Sequence, residues 1–360
     1  MGKKVVVGMS GGVDSSVAAL LLKNQGYDAI GVTMQVWQDE LLDDIQSNGG
    51  CCGLSAVEDA RKVCDIIGIP FYVMNFKSEF KRDVIDPFIQ EYQQGRTPNP
   101  CIACNRHVKW ESLLSKAKAI GADYIATGHY ARIETHPDTG RLCIAASATV
   151  SKDQTYALYS LTQDQLKMTL FPAGEHSKPE IREIARSSNL PVANKPDSQE
   201  ICFVPDGDYG SFLRENGASL KPGRFVGPNN ETLGTHTGVY NYTIGQRKGI
   251  KIAFGTPKYV KSIDVEKNEI VLADNQDLFE SFLEADDVNW MAYEPFSGEK
   301  ELVCKIRYSH RGAPCIAWTD NGGKTIKSRF LEPQRAITPG QAAVFYERNR
   351  IVCGGTILKA

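Results

Sequence analysis

The chain has 360 residues, 42% of them hydrophobic and 23% charged, with a formal net charge of −2. Those values fit a folded protein of two or three domains and exclude a fibrous or disordered chain. No run of about 20 apolar residues occurs, so no membrane-spanning helix is expected. Ten cysteines spread over a chain this long point to catalysis, metal binding or burial rather than to a disulfide-stapled secreted scaffold.

The chain opens on an apolar run and a glycine turn, Lys3-Lys4-Val5-Val6-Val7-Gly8-Met9-Ser10-Gly11-Gly12-Val13-Asp14-Ser15-Ser16. A buried strand, a turn and a helix over Ser16–Asn24 are expected. No charged, apolar, cleavable leader precedes the strand, so a cytoplasmic location is expected. A helix N-terminus with glycines before it is an anion site, because its backbone N–H groups and positive dipole end converge. Gly11 and Gly12 admit a ligand close to the backbone, and Ser10 and Ser15 add hydroxyls. The loop lacks both the lysine of G-x-x-x-x-G-K-[ST] and the spacing of G-x-G-x-x-G.

Strands are expected at Val5–Met9, Asp28–Val32, Phe71–Asn75 and Tyr124–Gly128. Helices are expected at Ser55–Ile67, Phe80–Gln93 and Trp110–Ile120. Such alternation predicts right-handed βαβ units and a parallel sheet whose ligands lie at the strands' carboxyl ends. Met34 and Gly128 fall at such ends, and Gly128 is a place where an adenine could lie flat. Trp37 to Gly53 reads as a long functional or disordered loop; its Cys51-Cys52 pair reads as incidental or buried. Ser177-Lys178-Pro179-Glu180 carries a capping-box pattern and starts a helix to about Ser188.

After about Pro205 the texture becomes β-rich, with short runs at Thr235–Thr243, Tyr259–Asp264, Glu269–Leu272, Val303–Tyr308, Ala313–Trp318 and Gln341–Tyr346. A soft break near Asn275–Phe282 divides this half in two. Residues 300–360 carry 11 Lys and Arg against 4 Asp and Glu, whereas residues 206–299 carry 9 against 15. A basic end on an acidic protein is a candidate polyanion surface.

Between these halves lies Gly95-Arg96-Thr97-Pro98-Asn99-Pro100-Cys101-Ile102-Ala103-Cys104-Asn105-Arg106. Arg96, Arg106 and Lys109 favour a thiolate at the nearby cysteines. A second thiol candidate is Cys202 in Asp197-Ser198-Gln199-Glu200-Ile201-Cys202-Phe203. The residues alone leave three chemistries open: a redox pair of Cys104 and Cys202, an iron–sulfur cluster on Cys101, Cys104 and Cys202, or half a zinc site.

Seven motifs in order narrow the choice: Ser10–Ser15, Gly95–Pro100, Cys104-Asn105, Ala126-Thr127-Gly128-His129-Tyr130-Ala131, Lys152-Asp153-Gln154, Ile201-Cys202-Phe203 and Thr243-Ile244-Gly245-Gln246-Arg247. Together they resemble the bacterial tRNA-specific 2-thiouridylases, whose S-G-G-x-D-S loop belongs to enzymes that cleave ATP between the α and β phosphates. The resemblance implies an α/β fold with three parts. These are a Rossmann-like ATP-binding domain with a parallel sheet at 1–205, a small β-rich tRNA-binding domain at 206–278 and a C-terminal β-barrel at 279–360.

It also implies roles. Gly8, Met9, Ser10, Gly11, Gly12, Val13, Asp14, Ser15, Met34 and Gly128 would hold ATP, with Mg²⁺ near Asp14 unless Asp14 instead orients the loop through backbone hydrogen bonds. Asn99, Pro100 and Cys101 would lie against the target base. Cys104 would be the nucleophile and Cys202 the persulfide carrier, the two forming a disulfide in each turnover. Such a bond needs their Cα atoms within about 7 Å at some stage, so segment movement is expected. His129, Lys152, Asp153, Gln154, Arg307, Tyr308 and Gln341 would touch tRNA.

The expected reaction is ATP-dependent 2-thiolation of the wobble uridine in the lysine, glutamate and glutamine tRNAs, which yields AMP and pyrophosphate. The sulfur would come from a sulfur-relay protein or a cysteine desulfurase. A monomer with no DNA or membrane partner is expected. One departure stands out: many members carry Asp where this chain has Cys101, and the change creates the C-x-x-C. The alternatives are the same reaction with a [4Fe–4S] cluster on Cys101, Cys104 and Cys202, or an ATP-dependent amide ligase with the same loop.

Overall fold

The computed structural model describes residues 2–36, 54–149, 153–197, 201–204, 207–218, 221–250, 252 and 255–359. Cys51, Cys52 and the rest of the Trp37–Gly53 stretch lie outside the described residues, as does Lys152. The chain divides into two compact units: Met1–Ile85, Pro100–Gly207 and Asn349–Ile351 form one, and Asp86–Asn99, Asp208–Arg348 and Val352–Ala360 form the other.

In the first unit, β1 (Lys4–Gly8), β2 (Asp28–Gln35), β3 (Phe71–Asn75) and β4 (Tyr124–Ala126) alternate with helices α1 (Val13–Asn24) and α2 (Leu54–Ile67). Further along come the hairpin β5 (Ala131–Thr135) and β6 (Leu142–Ala146), the short β7 (Thr169–Leu170) and α3 (Lys178–Ser187). The main sheet runs β3-β2-β1-β4-β7 with every pair parallel. Val5, Val6 and Val7 of β1 are fully buried, as suits the central strand of a sheet covered on both faces. One core cluster gathers Val5 and Val7 with Val17 of α1, Val63 of α2, and Ile181 and Ala185 of α3. Gly8 pairs with Val32, and Val7 with Ala126. The glycine loop, Thr33-Met34 and Thr127-Gly128 therefore leave the sheet at one end, and strand order reverses there between β2-β1 and β1-β4, the place where such sheets bind ligands.

Helix α1 starts at Val13, three residues before the sequence suggests, because Gly12 takes the extended N-cap conformation (φ −103°, ψ 167°). The helix expected at Trp110 starts earlier still: a helical turn at Pro100–Ala103 runs into a π-helix at Cys104–Leu113 and then Leu114–Ala119. The β5–β6 hairpin was not visible in the sequence. Its strand Leu142–Ala146 pairs with Arg350 through Ala145, and Arg350 also ion-pairs with Glu134 at 2.7 Å.

The second unit holds two β modules. Strands β8 (Gly223–Val226), β9 (Thr232–His236), β10 (Tyr259–Asp264) and β11 (Glu269–Ala273) form a sheet in the order β10-β11-β8-β9. Phe225, Val260, Ile270 and Leu272 form its core with Tyr242. The run Thr235–Thr243, read as one strand, ends at His236 and continues as a 3₁₀ turn over Val239–Asn241. The other module comprises β12 (Phe279–Trp290), β13 (Glu299–Lys305), β14 (Ala313–Asp320), β15 (Thr325–Arg335), β16 (Ala342–Glu347) and β17 (Arg350–Lys359). Its order β12-β15-β14-β13-β16-β17 closes through a β12–β17 pairing. Closure leaves no unpaired edge, and Leu283, Cys304, Phe330, Phe345 and Cys353 fill the interior. No helix among the described residues is long and apolar enough to cross a membrane.

Candidate active site

The glycine loop is built to leave donors unspoken for. Gly12 caps α1 without any side-chain hydrogen bond, so the first-turn N–H groups face outward. Gly11 sits at φ +68°, and a Cβ there would come within 2.3 Å of the Ala56 carbonyl oxygen. Ser10 and Ser15 lie with hydroxyls 3.1 Å apart, and Ser15 and Ser16 both donate to the Gly12 carbonyl. Thr33, which the sequence did not single out, donates to the Met9 carbonyl at 2.9 Å and ties β2 to the loop. Among the described residues, a Cβ on Gly12 would meet nothing closer than the Ser10 hydroxyl at 3.4 Å. That open space, its unspent N–H groups and the two serine hydroxyls fit a polyphosphate.

Gly128 proves to be a close-approach glycine. A Cβ there would lie 2.6 Å from the Asp14 carbonyl carbon and 2.6 Å from the Ser15 nitrogen. The turn after β4 thus packs directly on the first turn of α1. Met34 follows Thr33 at the end of β2 and is half-buried.

Among the described residues, the bonds to the Asp14 carboxylate come from side chains. Tyr130 donates to Oδ1 at 2.7 Å, and Lys178 Nζ donates to Oδ1 at 2.8 Å and Oδ2 at 2.9 Å. Burial and the Asp14 hydrogen bond push the Tyr130 phenol well above its usual range, so it stays a donor. Lys178 also ion-pairs with Asp197 at 2.7 Å, and Arg182 with Asp197 at 3.1 Å. Arg182 further donates to the carbonyls of Ala193 and Lys195. Lys195 reaches back to the Gly11 carbonyl at 3.0 Å and to Asp59 at 2.8 Å. The strap 193–197, five positions before Cys202 at its end, is fastened to the loop at two points. The sequence places Lys178 in a helix start and Asp197 in the stretch around Cys202, and it does not mark Lys195.

The cysteines sort by accessibility. Cys64, Cys143, Cys304, Cys315 and Cys353 are buried, whereas Cys101 is exposed and Cys104 and Cys202 are half-buried. Burial pushes the Cys64 and Cys315 thiols up to about 12 and Cys143 to about 11. These three, with Cys304 and Cys353, belong to cores and are unsuited to thiolate chemistry. Cys104 opens the π-helix, a helix type that recurs at functional positions. Asn105 beside it is buried, donates to the Ala157 carbonyl at 2.8 Å and accepts from Lys109 at 2.8 Å. Phe203, next to Cys202, stacks edge-on against Phe80 at 5.7 Å. Among the described residues no three His, Cys, Asp or Glu side chains are grouped as metal ligands. Cys101, Cys104 and Cys202 are all described, and they are not grouped as ligands in this structure.

The residues expected to touch tRNA divide. His129 shares a hydrogen bond with Thr127 Oγ1 at 2.6 Å and packs on Trp110 and Phe171. Burial, with the Lys109 charge added, holds its imidazole well below the usual range. Gln154 accepts from the Tyr130 N–H at 2.9 Å and so braces the tyrosine that holds Asp14; Asp153 accepts from Thr155 at 2.7 Å. In the second unit, Tyr308 is exposed, and Arg307 lines a pocket of about 590 Å³ with His310, Arg311, Leu331 and Gln334. Gln341 donates to the Thr97 carbonyl at 2.8 Å, while Thr97 N–H donates to the Pro339 carbonyl. It clamps the segment ending at Asn99; Pro100 and Cys101 follow in the first unit, Pro100 buried and Cys101 exposed.

Comparison with known proteins adds the family. A tRNA methyl transferase HUP domain model matches residues 3–206, a tRNA methyl transferase PRC-barrel domain matches 210–274, and an aminomethyltransferase β-barrel domain matches 280–357. The tRNA-specific 2-thiouridylase MnmA of Lachnoclostridium phytofermentans is 59% identical over 99% of this chain and 100% of that protein. The tRNA-specific 2-thiouridylase MnmA of Clostridioides difficile is 53% identical over 100% of this chain and 99% of its own length. A solved 4-thiouridine synthetase–RNA complex with bound ATP aligns at 18% identity with a TM-score of 0.34, over 59% of this chain and 49% of that one, too remote to add to the family match.

Proposed function

This chain belongs to the tRNA-specific 2-thiouridylases, and we propose that its glycine loop activates a uridine O2 of tRNA so that sulfur carried by Cys202 displaces it. The enzyme is a tRNA-uridine sulfurtransferase that thiolates tRNA with ATP, which sets aside the amide-ligase alternative. The finer assignment is our reading. Uridine O2 attacks the α phosphate of ATP; an O–P bond forms, the bond to the β phosphate breaks, and pyrophosphate leaves. Gly8 to Ser15, with Met34 and Gly128, cradle the nucleotide, and the α1 N-terminus offsets phosphate charge. Mg²⁺, when bound, supplies further neutralisation. Asp14 is the carboxylate nearest the loop, but Lys178 and Tyr130 already hold it, and no step is assigned to it.

The terminal sulfur of a Cys202 persulfide then attacks C2, and AMP leaves with the former O2. Cys104 thiolate attacks Cys202 Sγ, the S–S pair passes to the base sulfur, and a Cys104–Cys202 disulfide remains for an external dithiol to reduce. A second order, in which Cys104 first releases hydrosulfide that attacks C2, reaches the same products. Asn99, Pro100 and Cys101 flank a base splayed from its stack, as sequence-specific RNA enzymes require. Arg307 and Tyr308, on the half carrying the positive excess, supply tRNA contact, with His129, Lys152, Asp153, Gln154 and Gln341 along its path.

The substrate is the wobble uridine of the lysine, glutamate and glutamine tRNAs, the sulfur donor a relay protein or cysteine desulfurase, and the enzyme a cytoplasmic monomer. We assign the domains as 1–205, 206–278 and 279–360. The observation that carries the reading is the double fastening of the strap before Cys202 to the glycine loop, at Lys178 and at Lys195. The test is incubation of the protein with unmodified tRNA, ATP–Mg²⁺ and a sulfide source, with and without air. We expect 2-thiouridine by mass spectrometry in both, without bound iron; its absence in both refutes the reading.

A further inference from the structure

We infer that Lys178 is a positioning residue shared between the nucleotide and the Cys202 segment, so that polyphosphate at the glycine loop and the strap at Asp197 compete for one ammonium. The inference rests on the reading of the loop and Cys202 given under Proposed function.

The loop has no lysine of its own, yet the fold brings one to it from 164 positions away. Lys178 Nζ is held between Asp14, at 2.8 and 2.9 Å, and Asp197, at 2.7 Å, with only 11% of its side chain exposed. Arg182 completes the cluster at 3.1 Å from Asp197. Two carboxylates and two cations balance in this arrangement. A polyphosphate arriving over the first turn of α1 brings several negative charges beside Asp14, where Lys178 sits; among the described residues its ammonium is held by the carboxylates of Asp14 and Asp197 and by no backbone carbonyl. Lys195 is committed to the Gly11 carbonyl and Asp59, and Arg182 to the carbonyls of Ala193 and Lys195. Any shift of the ammonium toward phosphate weakens its hold on Asp197, five positions before Cys202. Differential contact of one group in two states is what couples two sites, and the coupling is reciprocal.

Reciprocity gives a test that a merely structural role fails. Asp197→Asn frees the ammonium for phosphate and should tighten binding of a non-hydrolysable ATP analogue with Mg²⁺; Lys178→Met should loosen it. We expect opposite shifts of about five-fold or more by calorimetric titration. If both variants weaken binding, or neither changes it, the inference is wrong. A second readout is the alkylation rate of Cys202, followed by peptide mass spectrometry. The analogue should change that rate several-fold in the wild-type protein and leave it unchanged in Asp197→Asn; an equal change in both overturns the inference. Neither measurement requires turnover, so they stand apart from the Cys202→Ser thiolation assay that decides whether Cys202 carries sulfur.

Discussion

The ammonium of Lys195 donates to the carbonyl oxygen of Gly11 at 3.0 Å, although 184 positions separate them. Gly11 needs its positive φ to keep the loop turned, and Lys195 secures that turn from outside while also pairing with Asp59 on α2. Lys195→Met removes a charge-assisted hydrogen bond worth about 1.5–3 kcal/mol, discounted by the partial exposure of the group. We expect a fall in stability of about 1 kcal/mol and several-fold weaker nucleotide binding. Chemical denaturation and calorimetric titration measure the two; wild-type nucleotide affinity in the variant would mean the strap does not shape the loop.

Gly128→Ala tests the same region from the other side. Its Cβ would lie 2.6 Å from backbone atoms of Asp14 and Ser15, which cannot rotate away as a side chain tip can. Relief requires the β4 turn and the first turn of α1 to part, at a cost of about 1–3 kcal/mol. The expected result is a displaced anion site: a raised KM for ATP with a folded circular-dichroism spectrum. An unchanged KM would show that the loop tolerates the extra methyl and that the close packing has no catalytic weight.

The alternating sheet was readable because its strands are apolar and its helices periodic, and the loop because glycines and hydroxyls sit at a fixed spacing. The double fastening was not. Lys178 meets Asp14 and Asp197 only through the fold, and a lysine in a capping-box sequence looks like any first-turn residue. Gly128 reads in the sequence as a place for adenine; its close packing on Asp14 and Ser15 does not, since that depends on what its missing Cβ would strike. The π-helix at Cys104–Leu113 escaped because its register differs from the 3.6-residue period, and β5–β6 because two five-residue strands leave a faint pattern. Gln341 and Gln154 were read through the resemblance alone as tRNA contacts; their amides also brace Thr97 and Tyr130.

The cysteines give a graded prediction. Brief treatment of the native protein with iodoacetamide should modify Cys101, Cys104 and Cys202 well before Cys64, Cys143, Cys304, Cys315 and Cys353, whose thiols are buried and raised. Cys104→Ser and Cys202→Ser should each abolish 2-thiouridine formation. Cys101→Asp should keep it within about ten-fold, a difference near 1.4 kcal/mol in barrier. Loss of activity in Cys101→Asp as complete as in Cys202→Ser would make Cys101 a participant in the chemistry.

Gln341→Ala addresses the clamp on Thr97-Pro98. Its amide donates to the Thr97 carbonyl at 2.8 Å, and a Cβ on Gly340 beside it would lie 2.9 Å from the Thr97 nitrogen. Releasing the clamp should blur the approach to Asn99 rather than unfold the chain. The expected signature is a several-fold rise in KM for tRNA with the ATP KM unchanged. Equal damage to both constants would point to general loosening instead.

His129 offers a pH test with a definite sign. Its pKa lies well below 6.5, chiefly through burial and secondarily through Lys109, so the folded protein resists a proton that the unfolded chain accepts. The unfolded state then binds more protons below about pH 6.5, and stability present above that pH is lost as pH falls toward the folded pKa. His236 and His310 shift the same way, also by burial. Each such group can add a slope of at most about 1.4 kcal/mol per pH unit. Replacing His129 by Asn removes one share while retaining a polar partner for Thr127. Denaturation midpoints measured from pH 7.5 to 5 should fall less steeply in His129→Asn than in the wild type, whatever the offset between the curves. Parallel curves would mean that His129 takes up its proton in the folded protein as readily as in the unfolded one.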